Sequence, residues 1–170
     1  MGERQGGTGR RAPEPLTDEA WAPFGWLPVV DTDPRDGTHR LSYEWADPHA
    51  NIIGHGRSEV PAVSGGLVCQ MLYRHATHTQ VLMPLDHPCV IAVAPKGIGF
   101  DHPGDGDLVR VFAIEPLQAL VLDRGTWHWG PYPGQADAVS LFNIQGLRYA
   151  EDNEMVDLAG RGMAIEVLLS

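Results

Sequence analysis

The sequence predicts an all-β protein: one antiparallel β-barrel or jelly roll with a short N-terminal helix. Three observations point there. About ten short segments are either apolar throughout or alternate apolar with polar, which is the period of a strand. The 20 glycines and 14 prolines of the 170 residues are scattered rather than clustered, the punctuation of many strands joined by tight turns. The third lies in residues 119–133, ALVLDRGTWHWGPYP. There an apolar run stops at Asp123-Arg124-Gly125 and returns through Thr126-Trp127-His128-Trp129, ending at Gly130-Pro131 and Pro133-Gly134. A single histidine arrives between two tryptophans at the return of a tight turn, as a small barrel hangs a ligand or a base in its mouth.

In chain order, residues 1–13 (MGERQGGTGRRAP) hold nothing that anchors a core and are expected to form a mobile tail. A single domain is expected over 14–170. It opens with a helix whose N-cap is Thr17, with Asp18 and Glu19 in the first turn and Leu16 and Trp21 placed as a hydrophobic staple. Pro23 and Gly25 end it. Strands are expected at 27–30, 39–45, 51–56, 67–74, 78–83, 89–94, 108–114, 119–122, 138–144 and 163–168, and only 150–158 hints at another helix.

Composition narrows the function classes. A chain 43% apolar, with no run near 18 apolar residues and a polar, Gly/Arg-rich start, reads as a cytoplasmic protein with no membrane span. The net charge of −10 argues against nucleic acid or anionic lipid as partners, while local basic groups still allow a small anionic substrate. Cys69 and Cys89 sit inside apolar runs and read as buried small hydrophobes.

The chemistry gathers in 74–84, RHATHTQVLMP, and at His128. On an extended strand His78 and Gln80 share a face, whereas His75 has the opposite parity unless Ala76-Thr77 bends the chain. Together with His128 these could converge as three imidazoles and an amide oxygen, a donor set suited to nickel, zinc, manganese or iron. The expected ligands of a divalent cation are therefore His78, Gln80 and His128, with His75 as a fourth. His39, His49, His55, His87 and His102 stand in turn-like stretches and read as surface or capping groups. Asn143, in an otherwise apolar strand, must find hydrogen-bond partners.

Asp123-x-Gly125-x-x-His128 is similar to the second metal-binding motif of the cupins, and His78-x-Gln80 to the first, with glutamine for its second histidine. Longer blocks sharpen the likeness. Tyr73-Arg74-His75, Thr79-Gln80-x-x-x-Pro84, the strand 89–95, Val109-Arg110-Val111-Phe112 and Gly125-Thr126-Trp127-His128 resemble, in order and spacing, the ureidoglycolate lyase (formerly hydrolase) family, a branch of the cupins. The resemblance runs from about residue 16 to 158. Three positions depart from it: Tyr73 replaces a glutamate, His78 a small residue, and Trp129 the second histidine of a tryptophan-histidine-histidine.

The resemblance implies a cupin-like domain, commonly paired into a homodimer. It also implies cleavage of the C–N bond of a small carbinolamine acid, ureidoglycolate, to glyoxylate and urea. A base removes the hydroxyl proton and the urea nitrogen is protonated as it leaves. A divalent metal would lower the hydroxyl pKa. His128, His75 and Gln80 are the expected catalytic residues. Arg74 and Arg110 are the candidates to grip the substrate carboxylate in a bidentate fork, with Trp127 as a further substrate contact. Two other classes stay open: another metal-cupin enzyme (isomerase, decarboxylase or dioxygenase) acting on a small hydroxy or keto acid, and a non-catalytic ligand-binding cupin.

Overall fold

Cys89–Ala94 (CVIAVA) is apolar at every position and buried at every position, so a packed layer must cover each of its faces. That strand is the centre of the architecture. The computed structural model describes residues 9–33, 35–36 and 47–169. The chain runs through β1 (Gly9–Arg11), β2 (Glu14–Pro15), α1 (Asp18–Trp21), β3 (Gly25–Trp26), β4 (Pro48–Gly56), β5 (Ala62–Val63), β6 (Gly66–Cys69) and β7 (Met71–His75). It continues as β8 (Gln80–Pro84), β9 (Cys89–Ala94), β10 (Arg110–Ile114), β11 (Leu120–Leu122), β12 (Trp127–Pro133), β13 (Ala138–Gly146), β14 (Asn153–Asp157) and β15 (Ile165–Leu168).

The strands form three sheets, ordered β1-β15-β6-β5, β14-β7-β12-β9-β10-β2 and β3-β11-β8-β13-β4. Pairing is antiparallel except for β1 on β15 and β2 on β10. Alternation along β9 makes the six-stranded sheet the middle layer. Val90, Ala92 and Ala94 join Trp127, Trp129, Leu67, Ile165 and Val167 in one core, against the four-stranded sheet. Cys89, Ile91 and Val93 join Phe112, Leu82, Leu120 and Leu141 in a second, against the five-stranded sheet. No ladder among the described residues closes these sheets into a barrel; each keeps two edges.

α1 closes the apolar end of the second core. Thr17 Oγ1 accepts from the Ala20 N–H at 3.3 Å, as an N-cap should. Trp21, fully buried, lies 5.3 Å from the Phe112 ring and donates its indole N–H to the Val121 carbonyl at 3.0 Å. β3 can press against β11 only because Gly25 lacks a Cβ, which would fall 1.8 Å from the Val121 oxygen.

Several elements differ from the sequence expectation. The tail expected over 1–13 is in strand pairing from Gly9, where β1 lies in register on β15. The strand expected at 27–30 is absent and β3 precedes it. The segment 67–74 divides at Gln70, whose carbonyl accepts from the N–H groups of Leu158 and Ala159 and marks the corner between two sheets. Residues 150–158 contain β14 rather than a helix, because pairing along β7 outweighs local propensity. The strand expected at 39–45, which His39 opens, lies outside the described residues. Cys69 and Cys89 are buried and free. No helix among the described residues is long and apolar enough to cross a membrane.

Candidate functional site

The second core changes character at one end. There β7 finishes at His75 and the chain bends through Ala76-Thr77 before β8 begins at Gln80. Asp152, from the turn before β14, holds the bend. Its carboxylate accepts from the Ala76 N–H at 3.2 Å, the Thr77 N–H at 2.9 Å and the Thr77 hydroxyl. The bend overcomes the parity problem of extended chain: the His75 and His78 rings stack with centroids 4.5 Å apart. His78 therefore reaches the site from the bend, not from a strand face shared with Gln80. Its Nδ1 lies 3.4 Å from Asp152 Oδ2. Gly146 backs the ring so closely that an added Cβ would stand 2.8 Å from His78 Nδ1.

β12 supplies the third imidazole. Gly125, at φ +77°, makes the turn an L-residue would resist, and its N–H donates to the His75 carbonyl at 2.7 Å. Strand alternation then sends Trp127 and Trp129 to the first core and His128 the opposite way, in register with Val93 and Tyr73. The His128 ring centroid lies 5.5 Å from that of His75. Gln80 completes the group through a relay of amides. Its Nε2 donates to Asn143 Oδ1 at 2.8 Å and Gln145 Oε1 at 3.3 Å, and Asn143 Nδ2 donates to Asn51 Oδ1 at 2.9 Å. This leaves Gln80 Oε1 a buried acceptor with no hydrogen bond. His75, His78, Gln80 and His128 surround one small gap.

Burial keeps all three imidazoles neutral. Desolvation, reinforced by the charge His75 would carry, pushes His78 and His128 down to about 4. His75 is lowered by desolvation against the opposing pull of Asp152. Burial works against the charge on Asp152, but its bonds from Thr77 and Ala76, with His78 nearby, hold the carboxyl below its ordinary value. His75 Nδ1 and His128 Nδ1 each face a backbone carbonyl at 3.2 Å, those of Asp152 and Thr126. A carbonyl only accepts, so these nitrogens carry the protons and each Nε2 keeps its lone pair. Ligand atoms of His75, His78 and Asp152 lie within 4.8 Å of one another, a set that could hold a metal ion. Neutral imidazoles, a carboxylate and the bare Gln80 oxygen fit a borderline divalent cation.

Beside this gap opens a cavity of about 340 Å³, with His75, Gln80 and His128 on one side and Asn51, Ile53 and His55 of β4 on another. Period two along β4 presents those alternate residues together. His49 continues the series, paired to Gln145, with Nδ1 buried and without a hydrogen bond. The alternation in HANIIGH was the signal that His49 and His55 belong to a strand face rather than to turns. Asp152, 72 residues beyond Gln80, had no such signal. A larger cavity of about 500 Å³ around His87, Cys89 and Glu115 contains none of the converging imidazoles.

The expected substrate contacts are placed elsewhere. Arg74 donates from Nε and Nη2 to Glu154 Oε2 at 2.9 and 2.6 Å and lies 4.4 Å over the Trp127 ring. Arg110 forms a bidentate pair with Glu14, at 3.0 and 2.5 Å, and also donates to the Ala20 carbonyl. Trp127 is buried in the first core with its indole N–H on the Ile98 carbonyl. None of the three lines the histidine cavity; Trp129 does.

Comparison with known proteins finds a matching family. Its sequence profile, described as ureidoglycolate lyase, matches residues 10–156. A Pseudomonas fluorescens protein named ureidoglycolate lyase is 40% identical over 128 residues, covering 68% of this chain and 72% of that protein. Proteins of the same name from Pseudomonas putida and Stutzerimonas stutzeri are 39% and 38% identical, over 68% of this chain and 72% and 71% of theirs.

Proposed function

The chain belongs to the ureidoglycolate lyase family, and from that premise we propose that it cleaves ureidoglycolate to glyoxylate and urea with the help of a divalent cation. The observation that carries this reading is the convergence of His75, His78, His128 and the bare Gln80 oxygen beside a cavity sized for a small molecule. His75 and His78, with Asp152, would hold the cation, and Gln80 Oε1 and His128 flank the same gap. Nickel, zinc, manganese and iron all suit these donors. When bound, the ion supplies Lewis acidity that acidifies the carbinol hydroxyl.

The protein's own groups do the rest. With both arginines engaged elsewhere, the substrate is met by neutral amides: Asn51, Gln145 and Asn153 line the cavity and offer donors to a carboxylate and both donors and acceptors to a ureido group. The relay from Asn51 to Gln80 fixes where those groups point. The hydroxyl collapses to a carbonyl as the C–N bond breaks and the nitrogen takes a proton. We further infer a cytoplasmic protein, in keeping with two cysteines that form no disulfide, and a homodimer, as cupins commonly pair. Elemental analysis of the purified protein, followed by urea and glyoxylate release from ureidoglycolate, tests this reading. Equimolar products from protein carrying about one divalent ion per chain are expected; no urea from metal-replete protein overturns it.

A further inference from the structure

The reaction needs a group that accepts a proton from oxygen and returns it to nitrogen, and the three imidazoles at the gap are poorly suited to that work. They are buried around the gap; on the reading above His75 and His78 have no free lone pair once they hold a cation, and His128, flanking the same gap, stands among the cation's donors. Among the described residues no carboxylate lines the adjoining cavity. Burial raises the Tyr132 phenol to about 12, so it keeps its proton. One further imidazole remains on the cavity wall: His55.

Its ring is held by two contacts. His55 Nδ1 lies 2.7 Å from the Pro131 carbonyl, which can only accept, so Nδ1 carries the proton of the neutral ring and Nε2 presents a lone pair. The ring also stacks on Tyr132, centroids 5.0 Å apart and planes 28° off parallel. A hydrogen bond and a stack together fix both the position and the rotation of the imidazole. β4 carries it, in register with Val139, on the face that presents Asn51 and Ile53 to the cavity. His55 and His128 line the same cavity.

We propose that His55 is the proton carrier of the lyase reaction, an assignment that rests on the function proposed above. Nε2 takes the carbinol O–H proton, and the oxygen lone pair forms the carbonyl of glyoxylate. The C–N electron pair leaves with the ureido nitrogen, which takes the proton from Nε2–H as urea departs. Histidine returns to its neutral form and no net proton is consumed. Oxygen and nitrogen are bonded to the same carbon, so one fixed nitrogen within hydrogen-bond reach serves both.

His55→Asn tests the assignment, because the asparagine amide can still donate to the Pro131 carbonyl but offers no basic nitrogen at the Nε2 position. Wild type and variant are compared for urea release, KM, metal content and thermal unfolding, and His55→Ala is assayed with and without added imidazole. The expected result is a fall in kcat of about 10²–10⁴-fold, with KM within about threefold, metal content unchanged, and partial recovery of His55→Ala by imidazole. A His55→Asn kcat within about threefold of wild type overturns the assignment. So does a loss of activity in His55→Ala that imidazole fails to lift while metal content and folding are intact. Should His55→Asn not fold, the imidazole arm decides. Metal-replete wild type that releases no urea overturns the lyase reading itself, and this assignment with it; the two failures are therefore distinct.

Discussion

The space between the six-stranded and five-stranded sheets has two ends built from the same strands. Along β13 the inward positions read Val139, Leu141, Asn143, Gln145; along β8, Leu82 and Gln80 stand two residues apart. Within one step of strand period, a dry core of Trp21, Phe24, Phe112 and Leu120 becomes an end walled by amides and imidazoles. The apolar end gains stability from burial, and the polar end consumes some of it, since desolvated imidazoles and a bare amide oxygen are costly to hold. One end supports the fold and the other carries the chemistry, so substitutions at the two should have opposite signatures.

The largest expected effect is at the polar end. His75→Ala or His78→Ala should abolish tight binding of a divalent ion and cut urea release by more than about a hundredfold, while leaving the unfolding midpoint of metal-free protein within a few degrees of wild type. Elemental analysis after gel filtration, with calorimetry, checks both halves. Retained metal in both variants would remove these imidazoles from the ligand set. The mirror-image change is Trp21→Ala, which empties the fully buried end of the second core. It should cost about 3–5 kcal/mol by chemical denaturation and leave metal stoichiometry in the folded fraction unchanged.

Acid should separate the two ends without mutation. His78 and His128 are held at about 4 by burial and by the neighbouring His75, whereas an unfolded chain charges its imidazoles near 6.5. Between those values the unfolded state binds more protons, so this contribution is fully present above about 6.5 and declines as the pH falls toward 4. The limiting slope is about 1.4 kcal/mol per pH unit for each group. Denaturation of metal-free protein at several pH values measures it, and His128→Leu should flatten the acid limb. A smaller local change is Gly146→Ala, whose Cβ would press on His78 Nδ1 from 2.8 Å. About 1–3 kcal/mol of overpacking is expected, with weaker metal binding as the ring shifts; unchanged metal affinity would show that Gly146 does not set the ring's position.

Why part of the site was legible in the sequence follows from its geometry. Gln80 and His128 announce themselves through strand patterning and a glycine turn, whereas His78 joins them from the bend rather than from the strand face its spacing to Gln80 suggested. His75 depended on whether Ala76-Thr77 bends, which is decided by Asp152, a residue brought in by β14 pairing on β7. His55 fell within the strand expected at 51–56, but its glycine neighbours led to its reading as a surface or capping group rather than as part of the β4 face. The all-β class was legible because period two is local; the three-sheet order was not, since closure and edge pairing depend on contacts far apart in the chain.

Charge was the hardest feature to read, and the arginines give the smallest and most decisive comparison. An arginine in a strand can face a pocket or fasten a neighbouring segment, and only the position of a carboxylate distinguishes the two. Arg74 finds Glu154 across the β7–β14 ladder, and Arg110 finds Glu14 where β2 lies parallel to β10. The Arg110 guanidinium, bonded to Glu14, holds that carboxyl below its ordinary range despite some burial, so the pair contributes above the ordinary carboxylate pKa and is lost as the pH falls through the lowered one. Both pairs are partly exposed, with side-chain accessibilities of 26% and 51% for Arg74 and Glu154 and 33% and 44% for Arg110 and Glu14. Solvent screening limits such pairs to about 1 kcal/mol or less. Lysine keeps the charge but not the fork, so Arg74→Lys and Arg110→Lys should each lower stability by no more than that, the loss shrinking in high salt. Neither variant should change KM for ureidoglycolate by more than about twofold. A tenfold rise in KM for either, with folding and metal content intact, would place that guanidinium on the substrate carboxylate and make the neutral amide wall insufficient to bind it.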